Sequence, residues 1–518
     1  MVSGQIFLRN LTANWVGHGA NLVVMFFLSP YILHSIGITE FGIWQLLTVL
    51  TGYMGIMDLG IRASTGRYIV YYLGKNDYGR IDETIRTGLG LYLVLSIFII
   101  AAGFFLGVFF PDIFQSVPEK YYNLIKILFP VLAVNIWFSA VSSILSSILG
   151  AHERFDLARS SDLIMLAVRT LITIIVIELD MGIAGLTTAV VFSNIFCMAS
   201  NWFFASKIHK DLKLVPLLFK KERIKELYNY GIGAFIIAAS IRILGQTDLF
   251  LAGVLINVNS VAVYSVGAML IFYSNTFLLQ INKTFFPSLQ KAVVSENLSE
   301  TRLIIERTLR ATLTIGLLIY GGCFFFGREF ISLWMFDLET FSYESVYRAS
   351  QVMAVLACAK LLLVLGSFSR NLLAASGHIG FSALTSIVEA VFNLFLSVIL
   401  VTVFNLGLTG IAAGTLISHL IIQSVFLPFY ACKKAGIDWL ELISDFLFKG
   451  ILSGCVLAVA CTLIKTLYSA DTWFSFFTQV TAVVLIYSIT AFIFLITKEE
   501  RQSLKRIIPF LKPKNNFS

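Results

Sequence analysis

The chain has 518 residues, of which 58% are hydrophobic and 13% charged, with a mean hydropathy of +0.85. Soluble domains run nearer ~45–50% apolar and ~25% charged, so a soluble globular protein, a disordered chain and a disulfide scaffold are excluded, and a polytopic helical membrane protein remains. The formal net charge of +8 is read as Lys and Arg collected in cytoplasmic loops, not as a nucleic-acid footprint.

Membrane spans are predicted at 11–35, 40–57, 85–110, 122–149, 160–178, 182–205, 228–255, 261–286, 306–327, 350–373, 380–402, 408–430, 446–466 and 475–497. Crossing ~30 Å of hydrocarbon takes ~20 apolar residues in a helix, and no ~10-residue alternation of a barrel is present. The first apolar segment, Leu11 to Ser35, is too long for a signal peptide and is followed by no small-residue cleavage site. With the N-terminus inside, the predicted cytoplasmic loops together with the span ends beside them hold 29 of the 38 Lys and Arg, and the external loops with their span ends hold four: Lys120, Arg328, Arg348 and Lys465. Five more, Lys126, Arg169, Arg242, Lys360 and Lys449, fall within spans. This asymmetry puts both termini in the cytoplasm.

The external loops are short, the longest being 328–349, and there is no phosphate-binding G-x-x-x-x-G-K-[ST] loop. Transport would therefore draw on an ion gradient, the membrane potential or the substrate's own gradient. The six cysteines have no metal-ligand spacing and imply no disulfide framework, and no metal or cofactor is expected. No enzyme motif such as H-E-x-x-H or G-x-S-x-G occurs.

Three local echoes recur at nearly one offset. Asp180-Met-Gly-Ile-Ala-Gly185 returns 225 residues later as Asn405-Leu-Gly-Leu-Thr-Gly410. The stretch from Leu149 to Phe155 returns as Leu373 to Phe381, and the turn from Ile36 to Trp44 returns 220 residues on as Ile256 to Tyr264. Six helices per copy is an even number, so the copies share one orientation. The expected fold is an all-α polytopic membrane protein with 14 transmembrane helices. It comprises two parallel six-helix repeats, 1–215 and 216–435, then two C-terminal helices and a basic cytoplasmic tail, 436–518. In such folds the substrate path is expected between the halves.

Ionisable side chains near a bilayer centre cost roughly 2.5–3.5 kcal/mol on insertion scales, which makes them informative. Arg169, Arg242, Asp248, Lys360 and Glu389 stand inside spans. In the first span Asn14, His18 and Asn21 share a helical face; in the second Asp58 and Arg62 are an i, i+4 acid–base pair; in the seventh Arg242 and Gln246 are one turn apart. The competing structural readings are an ion pair for Arg169, an interhelical pair for Lys360 and Glu389, a boundary salt bridge or cap for Asp58 and Arg62, and a packing role for His18.

The turn Ile36-Gly37…Glu40-Phe41-Gly42-Ile43-Trp44, then Met57-Asp58-Leu59-Gly60-Ile61 and Arg67-Tyr68, resembles the bacterial polysaccharide (O-antigen type, Wzx-like) flippases of the multidrug/oligosaccharidyl-lipid/polysaccharide exporter superfamily. The resemblance implies a cytoplasmic-membrane protein that moves undecaprenyl-diphosphate-linked oligosaccharide to the outer leaflet. It would work between glycosyltransferases inside and a polymerase outside, with no nucleic acid involved. Under that reading Arg242, Gln246, Arg169, Lys360, Asn21 and His18 are candidates for a cavity that holds the diphosphate, since guanidinium binds phosphate bidentately. Asp58, Arg62, Arg67, Asp248 and Glu389 are candidates for gating or coupling. The alternatives are a multidrug and toxin extruder of the same superfamily, disfavoured because the first span holds no acid, and a polytopic polysaccharide polymerase or ligase, disfavoured by the lack of a large external loop.

Overall fold

A computed structural model of the chain describes residues 4–209, 215–216, 221–467 and 469–495, with side chains described from Gly17 onward except at His18 and at 233, 234, 237, 241 and 445. The helices are α1 (Gly4–Met54), α2 (Ile61–Gly74), α3 (Tyr78–Ile113), α4 (Tyr122–Ala151), α5 (Phe155–Glu178), α6 (Gly182–Ile208), α7 (Lys221–Leu255), α8 (Val258–Val294), α9 (Leu298–Met335), α10 (Tyr343–Ala375), α11 (Ile379–Thr402), α12 (Gly407–Ser418), α13 (Leu427–Ala435), α14 (Trp439–Leu467) and α15 (Trp473–Phe494). A π-helical segment, His419–Phe426, joins α12 to α13. Starts are fixed by side-chain caps where the sequence offers them: Asp77 accepts from the Arg80 amide, Asn297 from Glu300 and Thr472 from Ser475.

Among the described residues thirteen helices are long and apolar enough to cross a membrane. The first, Gly19–Asp58, has 40 residues, about 60 Å if straight and twice the hydrocarbon thickness. It is broken at Gly37, whose φ of 77° and ψ of 166° are non-helical, between the two first predicted spans. Two regions differ from expectation. The segment 58–84, read as a loop, holds α2, a 14-residue helix that buries Ile61, Ile69 and Tyr72 and is too short to cross hydrocarbon. The 22-residue external loop 328–349 shrinks to the link between Met335 and Tyr343, because α9 and α10 extend past their apolar cores on charged turns carrying pairs such as Arg348–Glu344.

The chain forms two compact units. The first comprises Met1–Val263 with Asp337–Phe341; in it α3 packs on α4, α4 and α5 on α6, α1 on α5, and α7 on α1, α2 and α3. The second comprises Tyr264–Phe336 with Ser342–Ser518; in it α9 packs on α10, α11 on α12, α10 on α12 and the π segment, and α14 and α15 on α9. The sequence echoes reappear as backbone geometry. Asp180 and Asn405 both have φ of 53°, and Gly182 and Gly407 have φ of 50° and 56°. Within the first unit two echoing turns meet: the Thr39 hydroxyl donates to Asn259 Oδ1 at 2.9 Å, across 220 residues of chain.

The break before α2 depends on one glycine. Leu59 and Gly60 are left-handed, with φ of 51° and 75°, and a Cβ on Gly60 would overlap the backbone carbonyl of Gly231 on α7. Gly60→Ala is expected to destabilise the protein by about 1–3 kcal/mol through strain and steric conflict. Gly55→Ala, where a Cβ meets nothing within 4 Å, should leave thermal unfolding of the purified protein unchanged. Equal melting temperatures for both variants would refute this account.

Candidate functional site

In the first unit α1 and α5 enclose a cavity of ≈ 320 Å³ lined by Gly17, Asn21 and Met25 from α1 and by Arg159, Asp162, Leu163, Met165, Leu166 and Arg169 from α5. Arg159 and Arg169 are ten residues apart on α5, so the basic lining runs ~15 Å along the helix from its first turns to its middle. Arg159 pairs with Asp162 at 2.8 Å; two guanidiniums against one carboxylate leave the lining net positive. Asn21 and Arg169, both expected at a cavity, are thus brought together. Arg242 does not line it and is exposed on α7. His18 lies outside the described side chains.

The other first-unit candidates lie on α1, α2 and α7. Gly52 of α1 leaves room for the Gln246 amide, whose buried Oε1 has no hydrogen-bond partner among the described residues. Next to it Tyr53 and Thr247 are joined hydroxyl to hydroxyl at 3.3 Å, and Asp248 follows, half-buried. Asp58 accepts from the Tyr92 hydroxyl at 2.8 Å and from the Arg62 amide at 3.2 Å, so it ties the broken end of α1 to α3 and α2. Its ion pair with the Arg62 side chain is long, 3.9 Å. Arg67 lies over the Tyr230 ring of α7, 4.1 Å from its centroid. Nearby the Tyr72 hydroxyl donates to Glu226 at 3.1 Å, and burial pushes this phenol above its ordinary range.

In the second unit Lys360 and Glu389 are joined through a third residue. Glu389 on α11 is 0% exposed. His419, at the start of the π segment, sits between them: Nδ1 lies 2.9 Å from Glu389 Oε1, and Nε2 lies 3.1 Å from Lys360 Nζ. A carboxylate on one side and an ammonium on the other fix the tautomer, with Nδ1–H donating to Glu389 and Nε2 accepting from Lys360. Arg370 donates to Glu389 Oε2 at 3.3 Å, and also to the Ser386 hydroxyl at 2.6 Å and the Ser382 carbonyl at 3.1 Å. Gln423 donates to the same Glu389 oxygen. The π turn presents His419 and Gln423 to one carboxylate, and π segments recur at functional sites. Gly366 lets α10 approach it closely, since a Cβ there would overlap the Gln423 carbonyl, and Ser424 donates across to the Leu362 carbonyl at 2.7 Å.

Arg370, His419 and Gln423 were not singled out from the sequence. Their partners are 19, 30 and 34 residues away in the chain, beyond any helical spacing, and Arg370 reads as a loop charge near the end of its span. Removing the fully buried carboxylate strips Arg370, Gln423 and His419 of the acceptor they share. Glu389→Ala is therefore expected to cost about 3–5 kcal/mol. Arg62→Ala, with its side chain 47% exposed, should cost under ~1 kcal/mol. Thermal unfolding in one detergent checks the pair, and an equal loss in both would refute the cluster's structural weight.

The family model described as "Lipid II flippase MurJ" matches residues 83–484. A protein of Bacillus subtilis (strain 168), "Uncharacterized membrane protein EpsK", is 20% identical over 514 residues, covering 96% of this chain and 97% of its own length. A "Putative O-antigen transporter" of Shigella flexneri is 20% identical over 321 residues, covering 61% of this chain and 75% of its own. Among solved structures, an inward-facing multidrug resistance MATE family transporter of the MOP superfamily superposes with a TM-score of 0.70 at 16% identity, covering 80% of this chain and 94% of that one. Lipid II flippase MurJ in an inward closed conformation gives 0.66 at 15%, covering 94% and 98%. The structural likenesses establish the fold. The family match extends over more than three quarters of the sequence, and the chain belongs to the MurJ family of lipid II flippases.

Proposed function

We propose that this chain flips undecaprenyl-diphosphate-linked oligosaccharide repeat units across the bacterial cytoplasmic membrane by alternating access, for surface polysaccharide synthesis. The observation that carries the reading is the basic cavity between α1 and α5 in a member of a flippase family. The cargo's diphosphate and glycan are barred from oil, while its polyprenyl tail can stay in lipid. Arg159 and Arg169 offer two guanidiniums in a partly enclosed space, where charge-assisted bonds to a diphosphate are strong. Arg242 would meet the same headgroup from α7, and Asp58, Arg62 and Arg67 would tune how the broken end of α1 opens. Glycosyltransferases and a polymerase of the same pathway are the expected neighbours.

The topology that goes with this reading has 14 crossings and cytoplasmic termini. The two limbs of α1 on either side of Gly37 count as separate spans, and the repeats run 1–215 and 216–435. A multidrug extruder is the second reading, favoured by the MATE-like fold. It is the weaker one because the lining is basic and α1 has no acid between Leu11 and Ser35.

Arg169→Ala and Arg242→Ala are each expected to abolish surface polysaccharide in a host lacking its own copy, at wild-type protein levels. Arg242→Lys should rescue only in part, because an ammonium lacks the bidentate fork. Normal polysaccharide in both alanine variants would refute the diphosphate role. A reporter inserted within 337–341 should read external; a cytoplasmic signal there would overturn the topology.

A further inference from the structure

The stretch around Arg67-Tyr68 makes an unusual choice of aromatic residue. Phe outnumbers Tyr by 46 to 19 in the chain, yet 61–84 and 221–232 hold six tyrosines and neither Phe nor Trp. They are Tyr68, Tyr71 and Tyr72 on α2, Tyr78 at the start of α3, and Tyr228 and Tyr230 on α7. Burial of apolar area would be served as well by Phe. An aromatic belt at a membrane–water boundary uses Trp as readily as Tyr, and needs no packing of ring on ring.

These rings are packed and pinned. Tyr72 is the fixed point: it is 2% exposed, and its hydroxyl donates to Glu226 at 3.1 Å and accepts from the buried Arg223. Arg223 in turn lies 3.5 Å from Glu83 of α3. Tyr68 stacks on Tyr72 with centroids 6.1 Å apart and planes 26° apart, and Tyr71 meets Tyr72 edge-on at 5.2 Å. The close approach of Gly60 to Gly231 brings α7 alongside α2. Arg67 then bridges the two helices, 6.0 Å from the Tyr68 centroid and 4.1 Å from that of Tyr230. Tyr71, Tyr68, Arg67 and Tyr230 thus form a continuous row in steps of 6.3, 6.0 and 4.1 Å. Both ends of the row are open, with Tyr71 49% and Tyr230 39% exposed. Aromatic planes held in place in this way lose little freedom when a guest lands on them.

The chemistry of the row selects the guest. A pyranose ring has a face of C–H bonds that packs on an aromatic plane, and hydroxyls at its rim that accept from the in-plane N–H groups of a guanidinium. A phosphate would use Arg67 and leave the rings idle. An acyl chain would have no use for the phenols or the guanidinium.

We propose that Tyr71, Tyr68, Arg67 and Tyr230 form a carbohydrate-binding platform. It takes the glycan of the lipid-linked cargo before the cargo crosses, and so selects glycan-bearing cargo over bare carrier lipid. This deepens the flippase reading above and rests on it. In the topology proposed there, this end of α2, α3 and α7 is cytoplasmic, on the side where the cargo arrives.

The test uses the full chain in lipid nanodiscs and two radiolabelled probes: undecaprenyl diphosphate, and the lipid-linked repeat unit extracted from the native host. Equilibrium binding of the wild-type chain should favour the glycan-bearing probe by about tenfold or more. Tyr71→Leu and Tyr230→Leu keep an apolar side chain but lose the plane. Each should lose most of that preference while binding undecaprenyl diphosphate as the wild type does. Tyr71→Phe and Tyr230→Phe keep the plane, and should hold the preference to within about threefold. The platform is overturned by a wild-type chain that binds both probes equally, by leucine variants that keep the full preference, or by phenylalanine variants as impaired as the leucine ones. It is also overturned if the leucine variants lose both probes alike, since that marks a structural role. A wild-type chain that binds neither probe defeats the flippase reading and the platform with it; binding of both with the preference untouched by the variants defeats the platform alone.

Discussion

Hydrocarbon offers no hydrogen bonds, so every peptide group that enters it must be paired within the protein. This constraint makes the described residues helical almost throughout, and it makes each departure from helix informative. At Gly37 the chain leaves helical geometry between two limbs of one long helix. At Leu59 and Gly60 the break is tied down by Asp58, which takes the Arg62 amide and the Tyr92 hydroxyl. At His419–Phe426 the backbone widens to π without leaving the helix, and Ser424 reaches across to a neighbouring carbonyl. At the last two sites a side chain re-satisfies the irregular backbone.

Charge follows the same logic with two outcomes. In the first unit arginines line a cavity, where a ligand or water can meet them. In the second unit the charges close on one another around a fully buried carboxylate, with every oxygen of Glu389 engaged. An open arrangement suits a guest that comes and goes. A closed one suits a fixed joint between helices.

Much of this fold can be read from the sequence, because apolar runs of membrane length leave few alternatives. The echo at Asp180 and Asn405 was visible as letters and is present as matching left-handed backbone. What escaped reading was local or long-range. α2 is short and half-polar, so Arg62 and Arg67 looked like loop charges, while its buried face of Ile61, Ile69 and Tyr72 is clear only against α3 and α4. His419 sits in an apolar stretch with no acid nearby in the chain, and only its fold partners reveal its role. The signal that could have found it is the echo at Asp180 and Asn405: carried on at the same 225 residues, it pairs His419 with Asn194, also polar in an apolar stretch.

The π segment also bears on how long a helix can grow. The helices that follow the two echoing turns both begin at a left-handed glycine, Gly182 and Gly407. The first runs 27 residues, Gly182–Ile208, and the second 29, Gly407–Ala435. A residue added to a regular helix would turn everything beyond it by about 100° and scramble its lipid-facing side. The wide turn at His419–Phe426 is where such length can be absorbed while the helix continues.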